Sequence, residues 1–196
     1  MSDAPRPSDS KRIWTIPNIL CLIRLASIPL FVWLSIERHF AAAFFLFVGA
    51  ALTDALDGWI ARRFNQRSRL GSYLDPAADK TMMVTTYIVY TLPSIAEHRL
   101  PVWLTFTVFI RDVTIVVFAY LLYTRIRVKR FPPSIPGKIS TLVQIIALAA
   151  TIGANTFLAP ITVPLLWTAH RAALLMTLFS GYVYIRKWDA VLDESV

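Results

Sequence analysis

Residues 54–79 read DALDGWIARRFNQRSRLGSYLDPAAD, set between the apolar runs FAAAFFLFVGAALT (40–53) and KTMMVTTYIVYTLPSI (80–95). Asp54, Asp57, Asp75 and Asp79 therefore lie at the facing ends of two segments otherwise suited to a lipid bilayer. A carboxylate at the bilayer centre costs roughly 2.5–3.5 kcal/mol on insertion scales, so four of them call for a compensating partner.

The rest of the chain repeats the apolar character of those flanks. Of its 196 residues 56% are hydrophobic, against about 45–50% in soluble domains. Runs near the ~20-residue length of a transmembrane helix fall at 16–36, 40–61, 72–95, 101–124, 139–158 and 165–185. Breaks at Glu37–His39, Pro93–Pro101, Arg125–Pro136 and Ala159–Pro164 read as loops, not domain boundaries. The expected fold is all-α: a disordered tail over 1–12, one six-helix transmembrane catalytic domain over 13–187, and a tail over 188–196. The first run lies too far inside, and is too plainly continued by others, for a cleaved signal peptide. The head MSDAPRPSDSKR, with Asp3 and Asp9 and little arginine, is unlike an organelle transit peptide. A bacterial inner membrane is the expected location, ahead of an organelle inner membrane.

A net charge of +8 suggests nucleic acid until its distribution is read. Arg6, Lys11, Arg12, Arg62, Arg63, Arg67, Arg69, Arg125, Arg127, Lys129, Arg130, Arg186 and Lys187 lie on one set of alternating loops and tails. The opposite set holds Arg38, Arg99 and Arg171. Thirteen against three is the positive-inside pattern, which puts both termini and the aspartate hairpin on the cytoplasmic side. The basicity is then insertion topology and attraction to anionic lipid, and no nucleic-acid partner is expected. Cys21, the single cysteine, reads as a packing residue. His170 and Arg171 read as interfacial groups, and Trp33, Trp103, Trp167 and Trp188 as belt or packing residues.

Asp54 and Asp57 are three residues apart, Asp75 and Asp79 four, so each pair shares a helical face. Folded about the basic loop near residue 66, the two spans bring Asp57 level with Asp75 and Asp54 level with Asp79. Four converging carboxylates repel one another, and divalent cations relieve that conflict. With no His or second Cys nearby, all-oxygen ligation favours Mg²⁺ or Mn²⁺, with Ca²⁺ a weaker candidate. Two such ions can clamp the attacking and leaving oxygens of a phosphoryl-type displacement. Gly58 and Gly71 permit close approach to the helices, and Arg62 offers a planar fork to a phosphate. The competing reading is an Asp–Arg network that only ties the hairpin together.

The pattern Asp54-x2-Asp57-Gly58-x2-Ala61-Arg62-x8-Gly71-x3-Asp75-x3-Asp79 resembles the signature of the CDP-alcohol phosphotransferase family, eight fixed positions across 26 residues. The resemblance implies a six-helix membrane enzyme, a homodimer, that transfers a phosphoryl-linked group from a CDP-alcohol to a second alcohol and releases CMP. By it, Asp54, Asp57, Asp75 and Asp79 are ligands of a two-metal Mg²⁺ or Mn²⁺ site, and Asp79 is also the base for the acceptor hydroxyl. Asp54, Gly58, Ala61, Arg62 and Gly71 then cradle the cytidine diphosphate.

The acceptor is read from three further places. TIPNILCLIRLASIPLF (15–31) resembles the start of bacterial phosphatidylglycerophosphate synthases and of cardiolipin synthases, which share an Asn-x5-Arg there, here Asn18 and Arg24. IRD (110–112) and PGKISTLVQ (136–144) resemble both groups and implicate Arg111 and Lys138, with Asn18 and Arg24, in acceptor binding. Arg111–Asp112 as an ion pair and Lys138 as an interfacial anchor are the plainer alternatives. Arg111-Asp112 in place of Arg-Glu, and the run NQRSRLGSYLDPAADK (65–80), are closer to eukaryotic-type cardiolipin synthases. The expected reaction joins CDP-diacylglycerol to phosphatidylglycerol, giving cardiolipin, with glycerol 3-phosphate as the alternative acceptor. A cation or proton transporter built on the same acids would need the internal repeat and broken helices that this sequence lacks. An intramembrane prenyltransferase would need a second Asp-rich motif.

Overall fold

The computed structural model describes residues 16–63, 71–125, 135–156 and 162–193, and the side chains of these except at 16–17, 55–63, 71–76, 119–123, 125, 162 and 187–193. Among the described residues there are six helices and no strand: α1 (Ile16–Ile36), α2 (Phe40–Arg63), α3 (Gly71–Thr91), α4 (Val102–Arg125), α5 (Ile135–Ala154) and α6 (Thr162–Asp193). The six apolar runs each became one helix, with shifts at the ends that have local causes. α3 stops at Thr91, before Leu92-Pro93, because a residue preceding proline is pushed out of helical geometry. α5 begins four residues earlier than its apolar run, since Pro136 is tolerated in a first turn. α6 continues past Ile185 through RKWDAVLD, which holds no Gly or Pro to end it. By length and composition, two helical stretches among the described residues are apolar enough to cross a membrane, Asn18–Ile36 and Ile135–Ala154. The described side chains of α2 add a shorter apolar stretch, Phe40–Asp54.

The chain divides into two compact units at Glu97–His98. In the first, α1 packs against both α2 and α3, and α2 and α3 also touch each other. Asn18, Cys21, Arg24, Ile28, Phe31 and Ser35 are all buried, at spacings of three or four. That is one stripe along the helix, the side packed against α2 and α3. Outside it α1 exposes Ile19, Leu22, Ile23, Leu30 and Trp33. The α1–α2 turn closes with Arg38 in the left-handed region (φ 60°), while the His39 and Arg38 amides donate to the Leu34 and Ser35 carbonyls at 2.8 and 3.2 Å. This is the arrangement that usually ends a helix on glycine. Phe31 then meets Phe47 and Tyr90, with ring centroids 6.2 and 6.3 Å apart.

In the second unit α6 packs against α5 and α4. The buried stripes are Ser140, Gln144, Ala147, Thr151 and Ala154 on α5, and Leu166, His170, Ala173, Thr177 and Ser180 on α6. Gln144 Nε2 donates to Thr177 Oγ1 at 2.9 Å, and seven residues along both helices Thr151 Oγ1 meets His170 Nε2 at 2.9 Å. These two contacts fix the antiparallel register. They also revise the reading of His170 as an interfacial group: it is 3% exposed and serves as a polar clasp between helices. Arg171 beside it is exposed and lies over the Trp167 ring, as an interfacial pair would.

Interhelical hydrogen bonds of this kind contribute on average ~0.6 and at most ~1.7 kcal/mol in membrane proteins. Thr177→Val keeps the shape and removes the acceptor for Gln144. The variant is expected to lose stability in that range, read as a lower midpoint of thermal unfolding in detergent. An unchanged midpoint would show that the interhelical bond adds nothing beyond the contact of Gln144 Nε2 with Ser140 Oγ at 3.3 Å in the same helix.

Candidate active site

The three helices of the first unit each carry one charged residue of the site on their packed stripe. On α1 it is Arg24, four residues before Ile28 and seven before Phe31. On α2 the buried Ala43 and Phe47 lead, seven residues on, to Asp54. On α3 Asp79 precedes Met83, Tyr87 and Tyr90 at helical spacing. Register brings them to one level. Phe31 opposes Phe47, and seven residues further from the turn on both antiparallel helices Arg24 opposes Asp54. Ser35 Oγ lies 3.4 Å from Tyr90 Oη, and eleven residues, or three turns, earlier on both helices Arg24 stands level with Asp79.

The contacts agree with this register. Arg24 Nη1 donates to Asp54 Oδ1 in a direct ion pair. Asp79 lies within electrostatic reach of Asp54, Arg24 and Lys80. Burial is uneven across the pair, with the Arg24 side chain 3% exposed and that of Asp54 38%. The guanidinium is thus anchored inside while the carboxylate is partly exposed. Pro29, one turn beyond Arg24, has no amide proton for the Leu25 carbonyl, and Ser27 Oγ donates to the Arg24 carbonyl at 2.7 Å.

Asp57, Gly58, Ala61 and Arg62 fall on α2, and Gly71 and Asp75 on α3, with side chains outside the described residues. Among the described residues no group of three or more His, Cys, Asp or Glu gathers. Asp54 and Asp79 are the described half of the acidic set. Their chemistry fits a hard divalent cation: oxygen donors only, two carboxylates from facing helices, one of them open on its outer side. Asn18 is buried on α1, six residues before Arg24.

In the second unit Arg111 Nη1 donates to Asp112 Oδ1 at 3.0 Å and Nη2 to Ser180 Oγ at 2.6 Å. Its guanidinium carbon stands 5.9 Å from the Tyr184 ring centroid. Arg111 Nε is buried with no hydrogen-bond partner among the described residues. Lys138 is exposed in the first turn of α5. Ser180 and Tyr184 were not singled out by sequence reasoning. Their signal was present, since 166, 170, 173, 177, 180 and 184 continue one stripe of α6. The Arg24–Asp54 pair was missed too. Its midpoint, residue 39, lies in the break at Glu37–His39, the same test that aligned the α2 and α3 acids.

A family model for CDP-alcohol phosphatidyltransferases matches residues 14–181, from α1 into α6. The chain belongs to this family. It is therefore a transferase of phospholipid biosynthesis, and all the acids and bases of the motif lie inside the matched region. It is 35% identical to a human cardiolipin synthase (CMP-forming), over 97% of this chain and 68% of that protein. A CDP-diacylglycerol–glycerol-3-phosphate 3-phosphatidyltransferase of Aquifex aeolicus is 38% identical over 65% of this chain and 69% of its own. A probable phosphatidylglycerophosphate synthase of Mycobacterium tuberculosis is 31% identical over 90% and 82%.

Proposed function

We infer that the protein transfers a phosphatidyl group from CDP-diacylglycerol to a hydroxyl of phosphatidylglycerol, releasing CMP and forming cardiolipin. The observation that carries this reading is the meeting of Asp54 and Asp79, the first and last acids of the family's signature, with Arg24 at one level of three helices. In the reaction the acceptor oxygen bonds to the phosphorus that bears diacylglycerol, and the bond from that phosphorus to the CMP oxygen breaks. The acceptor's proton goes to an Asp79 carboxylate oxygen, a positioned base worth roughly 10²–10⁴-fold. Asp54, Asp57, Asp75 and Asp79 would hold Mg²⁺ or Mn²⁺ as a two-metal site. Bound there, the metals supply charge neutralisation for the attacking and leaving oxygens. Gly58, Ala61, Arg62 and Gly71, with Asp54, receive the cytidine diphosphate, and Arg111, Lys138 and Asn18 the acceptor.

The substrates are lipids, and the surface suits them. Exposed Phe45, Phe106, Ile110, Val116, Leu142 and Leu175 contrast with buried Asn18, Thr86, Gln144, Thr151 and Ser180. Apolar outside and polar inside is the distribution favoured by hydrocarbon solvent. We place all six helices across a bacterial inner membrane, with both termini and the site on the cytoplasmic side. The thirteen-to-three distribution of loop cations supports that orientation. A homodimer is part of the same proposal.

Glycerol 3-phosphate is the second reading, favoured by the Aquifex and Mycobacterium relatives. The two acceptors differ in what they need. Glycerol 3-phosphate has a dianionic phosphate as its main handle and leans on charge-assisted contacts, whereas phosphatidylglycerol adds acyl chains to a singly charged phosphodiester. Purified protein with CDP-diacylglycerol and Mn²⁺ is expected to release CMP faster with phosphatidylglycerol, with cardiolipin as product. Rapid turnover of glycerol 3-phosphate and no product from phosphatidylglycerol would exchange the acceptor and leave the transfer chemistry standing.

A further inference from the structure

Arg24 is held in place from several sides. Its side chain is 3% exposed, it lies on the stripe that packs α1 against α2 and α3, and its carbonyl is tied to Ser27 Oγ. The donor is therefore fixed while its partner is open. Asp54 gives Oδ1 to Arg24 Nη1, and Oδ2 makes no hydrogen bond among the described residues, on a side chain 38% exposed. A carboxylate free to turn about its last bond presents either oxygen outward. One pinned through a charge-assisted bond presents a single oxygen in a single direction.

We propose that Arg24 is the positioning residue of the metal-binding carboxylate Asp54, holding Oδ1 so that Oδ2 is aimed at a divalent cation. This rests on the reading of Asp54 as a metal ligand, and it gives Arg24 a part in place of the acceptor contact that family resemblance implies. Two effects oppose each other here. The guanidinium repels a nearby cation and offsets part of the repulsion between Asp54 and Asp79 that metal would relieve, which weakens binding; it also fixes the ligand in one orientation, which strengthens it. Loss of outer-shell partners of metal ligands typically costs ~10–100-fold in affinity, so orientation is expected to win.

The test is Mn²⁺ binding to the full-length protein in detergent or nanodiscs, read by loss of the free-ion electron paramagnetic resonance signal without substrate. Arg24→Gln is expected to raise the Mn²⁺ dissociation constant by about 10–100-fold. Arg24→Lys keeps the charge and gives up the rigid fork, so a smaller rise, severalfold, is expected. A dissociation constant in Arg24→Gln equal to or tighter than that of the unaltered protein overturns the proposal. Should Arg24→Gln fail to fold, Arg24→Lys decides: unchanged Mn²⁺ affinity overturns the proposal, and a rise supports it. Asp75→Asn on the same readout separates this inference from the reading beneath it. If Asp75→Asn weakens Mn²⁺ binding while the Arg24 variants do not, only the role of Arg24 falls. If Asp75→Asn binds Mn²⁺ as tightly as the unaltered protein, the metal-site reading falls and takes this inference with it.

Discussion

Asp57→Asn and Asp75→Asn are each expected to remove nearly all CMP release at saturating Mn²⁺, while the protein stays folded. The side chain of Asn matches that of Asp in shape and lacks its charge, so the change falls on ligation and spares packing. Loss of an outer-shell partner costs ~10–100-fold, and loss of a ligand itself should exceed that. Treatment with EDTA is expected to abolish turnover in the unaltered protein, and Mg²⁺ or Mn²⁺ to restore it. Stability separates this from a purely structural charge network. In a metal-ligand set, removing one of several mutually repelling carboxylates leaves the metal-free melting temperature equal or higher. In a network that ties the hairpin together, breaking a buried pair lowers it strongly. Full activity in either variant would end the two-metal proposal.

Asp79→Asn is expected to separate chemistry from binding. Asp79 lies on the packed stripe of α3, level with Arg24 and within reach of Asp54, where it can serve as both ligand and base. An amide cannot accept the acceptor's proton, so the rate of CMP release should fall by roughly 10²–10⁴-fold. Binding of CDP-diacylglycerol, measured directly at high Mn²⁺, should change far less, because Asp54, Asp57 and Asp75 remain. Equal losses in rate and binding would leave Asp79 as a metal ligand alone.

The acidic signature was legible because its spacing is a statement about one helix at a time. Three and four residues put two carboxylates on one face whatever surrounds the helix, and two apolar runs joined by a short basic loop fold back as neighbours. The existence of the helices was legible for the same reason, but their ends at Thr91, Ile135 and Thr162 fall three or four residues from the apolar runs, because Pro93, Pro136 and Pro164 act on their own turns. The Arg24–Asp54 pair needed one step more, the register of α1 on α2 that the Phe31–Phe47 contact fixes. His170 was misjudged because a histidine near the end of an apolar run looks interfacial until Thr151 is known to face it.

By itself, the sequence determined the all-helical chain, the six apolar runs, the charge asymmetry of the loops and the aspartate motif. All of these follow from local spacing or from composition. The tertiary structure decided which side of each run faces inward. Runs this apolar carry hydrophobic residues on nearly every side, so hydrophobic periodicity carries little information about facing. That information resides in the few polar residues at alternating spacings of three and four, and these become readable only with their partners. Arg24 against Asp54, Gln144 against Thr177 and Arg111 against Ser180 each join residues at least 30 positions apart. No single helix specifies such a pairing, because the desolvation of each polar group is offset only when the opposing helix arrives in one particular register.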